Sequence, residues 1–287
     1  MAPVDSSMAA NHTRRQLLGG LSAAGAAALA GCTGSTPFVG RRLADEETIA
    51  PDDAESIAIT GSVGDLTVTG ADRETIQLDL EKQASSVRTD LEALHLESAR
   101  EAELLEFRAE YDGETGWFES EPAMDIDVAL PDGLSVDRLL TGTGRVTVAD
   151  VGGDLEARSS TGSVEIRNVD GTVVAETSTG SIDVTDVDAV GNLTASTGSI
   201  EAAVPAIDGD TAITASTGSV EVALSPTVDA DLEARTSTGS LEIDDNGLEL
   251  EEYRRENDRV SAVVGEGGPR LRIETSTGSV EISTLEG

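Results

Sequence analysis

Apolar and polar residues alternate with a period of two in short segments along most of this chain, and the segments themselves recur. In Leu155–Ser159 the apolar or small positions alternate with Glu156 and Arg158, and Val164-Glu165-Ile166 resumes the alternation after a turn. A period of two is that of a β-strand with one buried face, and the repeated segments are too short for helices. The pattern therefore predicts an all-β protein.

One phrase, Ser-Thr-Gly-Ser followed by an apolar, an acidic and another small or apolar residue, recurs six times. Successive copies are 18, 18, 20, 21 and 39 residues apart, and Thr143 begins a related copy 18 residues before the first. Periods near 20 residues indicate a solenoid in which each repeat is one rung. The 39-residue step is close to two repeats, so residues 244–269 are predicted to form a rung that lacks the phrase. The threonines of the phrase are Thr161, Thr179, Thr197, Thr217, Thr238 and Thr277.

Stacking explains why the phrase is constant while the sequence between its copies varies. Rungs of a solenoid lie about 4.8 Å apart, so each turn packs against the turns above and below it. Glycine adopts backbone angles that other residues resist, and Thr and Ser hydroxyls can hydrogen-bond along the stack. The sequence therefore predicts a parallel β-solenoid over residues 56–287, with rungs of about 18–21 residues, short strands and stacked Thr-Gly-Ser turns.

Residues 56–140 are less regular but still strand-like. The segment 56–70, SIAITGSVGDLTVTG, contains a divergent copy of the phrase. Alternation predicts two strands, one through Leu94 and Leu96 and one through Leu105 and Phe107, with a short helix as an option near Val87–Leu94.

These segments together resemble a known family. The TGSVEI-like repeats, the run VALPDGLSVDRLLTGTGRVTV and the closing GEGGPRLRIETSTGSVEI are similar to the "putative adhesin" family of β-strand-repeat domains of unknown function. The resemblance spans roughly residues 56–287 and implies a parallel, single-stack β-solenoid. The adhesin name was given by analogy, and a fold does not by itself imply a function.

The N-terminus carries targeting signals. Arg14 and Arg15 precede a mildly apolar run, Leu17–Ala30, which is too short for a membrane span. The segment resembles a twin-arginine signal peptide, and Leu29–Cys32 resembles the lipid-attachment motif of lipoproteins. We therefore expect residues 1–31 to be a signal peptide and residues 32–55 a flexible tether. Lipidated Cys32 would anchor the protein on the extracellular face of the cytoplasmic membrane.

Composition narrows the class of partner. The chain has 55 acidic and 19 basic residues and a formal net charge of −36, and Lys82 is its single lysine. Dense counterions screen such a surface in concentrated salt, and the composition resembles that of haloarchaeal proteins. Nucleic acid is not an expected partner because phosphate binding needs basic patches. Monovalent or divalent cations are expected to associate without specificity.

Few residues could carry catalysis. His12 lies in the predicted signal peptide, and His95 lies in an alternating stretch where a surface or packing role fits best. With the single cysteine, Cys32, lipidated, a thiol nucleophile, a Cys/His metal site or a disulfide cannot form. We therefore expect no catalytic residue, cofactor or metal site. Trp117 and Phe118 could either contact a partner or cap an end of the solenoid.

Outward-facing acids follow the phrase and are predicted to form a column. Neighbouring carboxylates about 4.8 Å apart repel by about 0.9 kcal/mol in water, and molar salt screens most of this because its Debye length is about 3 Å. One carboxylate per rung is short of the roughly six to eight oxygens that Ca²⁺ takes. The column comprises Glu165, Asp183, Glu201, Glu221, Glu242 and Glu281.

Three functional classes remain at this point. The expectation is a non-catalytic, lipid-anchored cell-surface protein that serves envelope structure or adhesion-like contacts with a glycan or protein ligand. The alternatives are an extracellular polysaccharide-active enzyme that uses clustered carboxylates, and a cation-binding surface module.

Overall fold

The computed structural model of the chain describes residues 40–113, 120–244 and 246–285. They form 21 β-strands joined in one hydrogen-bonded sheet, with a single turn of 3-10 helix, η1, at Leu91–Ala93, so the predicted all-β solenoid is confirmed. Within these residues no helix has the length and apolar character that crossing a membrane requires. The strands are β1 (Arg41–Ile49), β2 (Ser56–Val63), β3 (Leu66–Ala71), β4 (Ile76–Ala84), β5 (Leu94–Glu101), β6 (Leu104–Tyr111), β7 (Ala123–Pro131), β8 (Ser135–Thr143), β9 (Val146–Gly152), β10 (Leu155–Thr161), β11 (Val164–Thr179), β12 (Ile182–Thr197), β13 (Ile200–Val204), β14 (Thr211–Thr217), β15 (Val220–Leu224), β16 (Ala230–Thr238), β17 (Leu241–Ile243), β18 (Leu250–Glu256), β19 (Arg259–Val264), β20 (Arg270–Thr277) and β21 (Val280–Thr284).

Each rung consists of a strand before the turn and a strand after it. The second half of β11 and the first half of β12, for example, make one rung around the turn Gly180-Ser181. Alternate side chains of both strands enter one hydrophobic core, as Val173 and Ala175 do before this turn and Ile182 and Val184 do after it. Burial of this apolar face is what selects the register, because a one-residue slip would turn every core side chain outward.

The rungs do not stack in the order of the sequence. β14 pairs with β20, and β20 pairs on its other side with β16. The strands after the turn repeat this order, since β15 pairs with β21 and β21 with β17. The rung β20–β21, last of the phrase-bearing rungs in sequence, therefore lies between β14–β15 and β16–β17, and the threonine column runs Thr143, Thr161, Thr179, Thr197, Thr217, Thr277, Thr238.

The prediction that residues 244–269 fill a rung without the phrase is wrong. These residues form the antiparallel pair β18–β19, and β19 pairs antiparallel with β16. The 39-residue step exists because the chain leaves the stack, makes this hairpin and returns to the space left beside β14. The hairpin thus lies on the far side of β16 and not between two rungs.

The segment 56–71 is also placed differently from expectation. β2 lies between β6 and β8, and β3 lies between β7 and β9, with all four pairs parallel. Val63 pairs with Thr143, so Gly64, and not Gly61 of the phrase-like Thr60-Gly61-Ser62, occupies the turn. The divergent copy of the phrase is therefore three residues out of register with the turn column.

Antiparallel strands cover both ends of the stack of rungs. The expected parallel solenoid did not include such strands. At one end β4 pairs with β7, β1 pairs with β4, and β5 pairs with β6. The tether expected over residues 32–55 is thus wrong for β1, which is a strand. The predicted strands through Leu94 and Leu105 are confirmed as β5 and β6, and the optional helix reduces to η1.

The outermost strands are rich in charge. β18 carries Glu251, Glu252, Arg254, Arg255 and Glu256, and the Arg255 guanidinium donates a hydrogen bond to the Leu241 carbonyl on β17 over 2.6 Å. Charged edge strands disfavour strand-to-strand association with other molecules. The hairpin therefore caps this end of the stack in addition to covering its core.

Corners opposite the Thr-Gly-Ser turns also stack, although their sequence varies. Asp150, Asn168 and Asp186 adopt left-handed backbone angles with φ between 52° and 59°. The Asn168 side chain donates a hydrogen bond of 2.6 Å to the carboxylate of Asp150. Asp and Asn tolerate this conformation better than most residues. The second column therefore forms without a constant sequence, because residues that accept left-handed angles occupy each corner.

The interchanged rung order predicts which turn threonines can be cross-linked. With Cys32→Ser to remove the native thiol, the pair Thr217→Cys/Thr277→Cys is expected to form a disulfide, because adjacent rungs are about 4.8 Å apart. The matched pair Thr217→Cys/Thr238→Cys is expected to stay reduced, since two rung spacings exceed the reach of about 7 Å. Non-reducing electrophoresis with peptide mapping reads the result. A 217–238 disulfide in the native monomer would show that the rungs stack in sequence order.

Candidate functional site

Glycines form the innermost line of the turn column. Each has φ between 141° and 151°, a range that side-chain-bearing residues rarely adopt. A Cβ on any one of them would overlap the carbonyl oxygen of the neighbouring rung's glycine, so the close approach excludes a side chain independently of φ. In spatial order the glycine column comprises Gly144, Gly162, Gly180, Gly198, Gly218, Gly278 and Gly239.

Hydrogen bonds continue through the turns. The backbone N–H of Gly180 donates to the carbonyl of Thr197 over 2.9 Å, and that of Ile182 donates to Ser199 over 3.0 Å. The same pair of bonds recurs from rung to rung, so the turns extend the backbone ladder of the strands. The corner is therefore as ordered in its hydrogen bonding as the sheet.

Buried hydroxyls donate hydrogen bonds to the glycine carbonyls of the turns. The Thr177 hydroxyl donates to the Gly162 carbonyl over 2.9 Å, and the Thr275 hydroxyl donates to Gly218 over 2.8 Å. Ser159, Thr236 and Thr141 make equivalent bonds. Because an unpaired buried polar group is costly, these hydroxyls stabilise the closely packed corner.

Hydroxyls line the outside of the same corner, and we call them together the hydroxyl edge. Its first serine and its threonine are exposed in every rung, and its second serine, which follows the glycine, is exposed or half-buried. The second serine links several neighbouring rungs, since the Ser199 amide donates to the Ser181 hydroxyl over 3.4 Å and the Ser240 hydroxyl donates to the Ser279 hydroxyl over 2.9 Å. The hydrogen bonding expected along the stack is thereby confirmed. The hydroxyl edge comprises Ser160, Ser178, Ser196, Ser216, Ser276 and Ser237, the threonines from Thr161 to Thr238 in the spatial order given above, and Ser163, Ser181, Ser199, Ser219, Ser279 and Ser240.

The predicted acidic column is present beside the hydroxyl edge and occupies six consecutive rungs. Its residues are aligned pairwise in the parallel ladders, with Glu281 between Glu221 and Glu242. The spatial order is Glu165, Asp183, Glu201, Glu221, Glu281, Glu242, which differs from the sequence order at its end for the reason given above. At the opposite end of the column the aligned positions are Thr147 and Thr67, so the charge stops at Glu165.

A shallow groove of about 180 Å³ runs beside the middle of the acidic column. Its lining includes the small side chains of Ala203 and Ala223 together with Glu201, Glu221 and Glu281. Among the described residues no group of three or more His, Cys, Asp or Glu side chains is arranged to hold a metal ion. The column is a row of single carboxylates and not a chelating cluster.

Burial and like charge perturb Asp183. Partial burial, followed by repulsion from Glu201 and Glu165, raises the pKa of Asp183 above its ordinary value, and Arg167 opposes the shift. Because the folded-state pKa lies above that of the unfolded chain, the folded state binds the proton more tightly. Stability contributed by this site is therefore present at low pH and lost as pH rises through the window between the two pKa values.

Asp125 and Asp65 form a second pair of neighbouring carboxylates. Asp125 accepts a hydrogen bond from the Asp65 amide over 2.9 Å and one from the Gln83 side chain over 2.9 Å, and Asp65 accepts one from the Arg145 amide over 2.7 Å. Burial is the main reason that the pKa of Asp125 is raised, with repulsion from Asp65 and Glu81 adding to it. At this end of the turn column Asp65 follows the turn glycine Gly64, where the phrase-bearing rungs have serine. The carboxylate oxygens accept hydrogen bonds from turn amides there, so the pair has a structural role.

The other sequence-predicted residues are not brought to this surface. His95 lies half-buried on β5, with Nδ1 3.3 Å from the Ala93 carbonyl and Nε2 3.7 Å from the Glu97 carboxylate. Arg14, Arg15, Cys32, Trp117 and Phe118 lie outside the described residues. The sequence predicts a looser Asp/Gly turn at the corner opposite the phrase, but the stacking of that corner into a column was not predicted, although Asp150, Asn168 and Asp186 recur at intervals of 18 residues.

The Toastrack DUF4097 family model matches residues 122–283, which is more than half of the chain. The chain belongs to the Toastrack DUF4097 family. The Toastrack match extends from β7 to β21 and includes every rung that carries the Ser-Thr-Gly-Ser phrase. Membership in a β-strand-repeat family is thereby confirmed, while the haloarchaeal lipoprotein setting stays a prediction.

Solved structures similar to this Toastrack chain are distant in sequence. A "putative cell adhesion protein" from Clostridium sporogenes is 12% identical, covers 85% of this chain and 100% of its own, and has a TM-score of 0.36. A "putative adhesin" from Parabacteroides merdae is 13% identical, covers 83% and 95%, and has a TM-score of 0.39. A "putative lipid binding protein" from Parabacteroides distasonis is 14% identical, covers 84% and 96%, and has a TM-score of 0.36. Among curated proteins no sequence relative was found.

Replacement of one glycine in the column tests its packing. Gly180→Ala is expected to lower the free energy of unfolding by about 4 kcal/mol or more, because the methyl group overlaps the Gly162 carbonyl and the backbone angle is unfavourable. Gly152→Ala, where a Cβ meets nothing within 4 Å, is the matched control with an expected change of about 0.5 kcal/mol or less. Denaturant unfolding measures both. Equal, small effects would contradict the packing described.

Neutralising Asp183 tests the electrostatics of the acidic column. At pH 7 and about 0.1 M salt, Asp183→Asn is expected to raise the free energy of unfolding by about 0.3–1 kcal/mol, because it removes the cost of partly burying a charge and the repulsion from Glu201 and Glu165. The gain should shrink in about 1 M salt and disappear as pH falls below the ordinary aspartate range. Asp188→Asn is the control outside the column. A gain that persists at low pH would contradict a charge-based cause.

Proposed function

We propose that this protein is a non-catalytic, lipid-anchored cell-surface protein that makes adhesion-like contacts through the hydroxyl edge and the acidic column. The observation that carries the proposal is the extent and regularity of this surface. Six consecutive rungs repeat Ser, Thr, Ser and an acid at one position each, over about 24 Å. The first serine and the threonine are exposed in every rung, and the second serine and the acid are exposed or half-buried. Repetition of weak contacts along a rigid row gives avidity without a deep pocket.

The chemistry of the surface favours an extended, polar ligand. Hydroxyls that both donate and accept hydrogen bonds match glycan hydroxyls or the polar backbone of a protein, and the carboxylates accept hydrogen bonds or attract cations at the ligand. The groove beside Glu201, Glu221 and Glu281 is small, at about 180 Å³, and is lined partly by alanines, which suits contact by area. A glycan or protein on a neighbouring cell or in the envelope is therefore the proposed partner.

Anchoring is the second part of the proposal and rests on sequence. Twin-arginine export through Arg14 and Arg15 would deliver the folded stack, and lipid on Cys32 would retain it on the extracellular face of the cytoplasmic membrane. A folded solenoid of this kind is compatible with that route because it has no disulfide to form after export. Cys32→Ser is expected to release the protein into the medium.

Attachment assays in high salt test the contact function. Cells that lack the gene are compared with cells that express the intact chain, the triple variant Glu201→Gln/Glu221→Gln/Glu281→Gln, or a control with the same charge change, Asp188→Asn/Asp208→Asn/Glu251→Gln. The column variant is expected to lose most surface attachment and cell–cell aggregation, while the control retains it. Equal behaviour of the two variants, or no difference between deleted and intact cells, would contradict the proposal.

A further inference from the structure

The slot between β14–β15 and β16–β17 is a binding site for a strand-turn-strand segment, and β20–β21 occupies it. Its walls are two parallel backbone ladders, one from each neighbouring rung. The turn is held in the same way, since the Gly218 amide donates to Thr277 and the Gly278 amide donates to Thr238, both over 2.9 Å. The bound segment is thus hydrogen-bonded on both sides along strand, turn and strand.

The interior of the segment is among the most completely buried parts of the molecule. Leu271, Ile273, Thr275, Val280 and Ile282 are each 0% exposed. The Thr275 hydroxyl donates to the Gly218 carbonyl of one wall over 2.8 Å, and the Thr236 hydroxyl of the other wall donates to Gly278 over 2.9 Å. Because β20–β21 pairs with β14–β15 on one side and with β16–β17 on the other, it joins the end unit β16–β19 to the remaining rungs.

A short hinge connects the segment to the end unit that it secures. Residues Gly265, Glu266, Gly267, Gly268 and Pro269 lie between β19 and β20, and Gly265 and Gly267 have φ of 58° and 76°. The Asp229 carboxylate accepts from the Glu266 amide over 2.8 Å, and Asp210 accepts from the Arg270 amide over 2.9 Å. The chain reverses direction sharply at this hinge, and the positive φ angles that this requires favour glycine. If the hinge were extended, β20–β21 would lie away from the slot of its own chain.

We propose that β20–β21 is an exchangeable segment, and that a second copy of this chain can supply it in a reciprocal, two-fold symmetric dimer. Such an exchange reproduces every contact within the slot, because the donated segment is identical to the one it replaces. The balance between monomer and dimer is then set by protein concentration and by the conformational cost of the hinge. The slot is specific for its register, since the hydroxyl and glycine positions on both walls must match.

Co-refolding of two single-cysteine proteins tests the exchange. Full chains carrying Cys32→Ser with either Thr217→Cys or Thr277→Cys are mixed, unfolded, refolded together at high concentration and oxidised. A disulfide between the two chains is expected, because residue 217 of one copy then lies beside residue 277 of the other. The pair Thr217→Cys with Thr238→Cys is the control and should give none, because residue 238 lies outside the exchanged segment and stays in the stack of its own copy.

Hinge variants give a second readout. Gly265→Val/Gly267→Val disfavours the tight return and is expected to raise the dimerisation constant about ten-fold or more. Gly268→Ala, which is outside the positive-φ positions and places a Cβ 3.3 Å from the Asp229 carbonyl oxygen, is expected to change it much less. Light scattering after size exclusion measures the dimer. Three results would each overturn the proposal. The chains could refold to native monomer at every concentration without a 217–277 disulfide, or the control pair could cross-link equally. The hinge variant could also dimerise no more than Gly268→Ala.

Discussion

Close stacking of glycine on glycine at one corner is the constraint on which the rest of this structure depends. Each glycine carbonyl occupies the space where the next rung's Cβ would be, as Gly162 does beneath Gly180. The approach is possible only because backbone hydrogen bonds continue through the turn and buried hydroxyls such as Thr177 pair with the carbonyls. The strands on either side are then held in register, and their inward side chains form one core.

The same constraint creates the proposed contact surface. Because the turns superimpose, every residue of the phrase forms a column, and outward residues follow the buried ones at a fixed spacing. The hydroxyl edge and the acidic column are thus consequences of stacking, and their regularity does not require separate selection for a ligand. The proposed function uses a surface that the fold already repeats. Repetition also has an electrostatic cost, since repulsion from Glu201 and Glu165 adds to partial burial in raising the pKa of Asp183.

Sequence reasoning predicted the repeated rung well and the connections between rungs poorly. The alternation in segments such as Leu155–Ser159 and the constant glycine are local signals, and both the strands and the turn column follow from them. The order of rungs is not local. Since the copies at Thr217, Thr238 and Thr277 share one phrase, each is chemically compatible with either neighbour, and only the β18–β19 hairpin and its connections distinguish the arrangements.

Similarly, Thr60-Gly61-Ser62 reads as a turn, but the register set by the core places Gly64 there. The acidic column was predictable residue by residue, and only its final order was not.

Amide hydrogen exchange measured peptide by peptide tests the interchanged stack most directly. If β20–β21 is an internal rung, amides in residues 270–284 should be protected as strongly as those in residues 211–224, and more strongly than those of the end strand β17. Rapid exchange of residues 270–284, ahead of residues 230–243, would place this segment at the end of the stack and contradict the account.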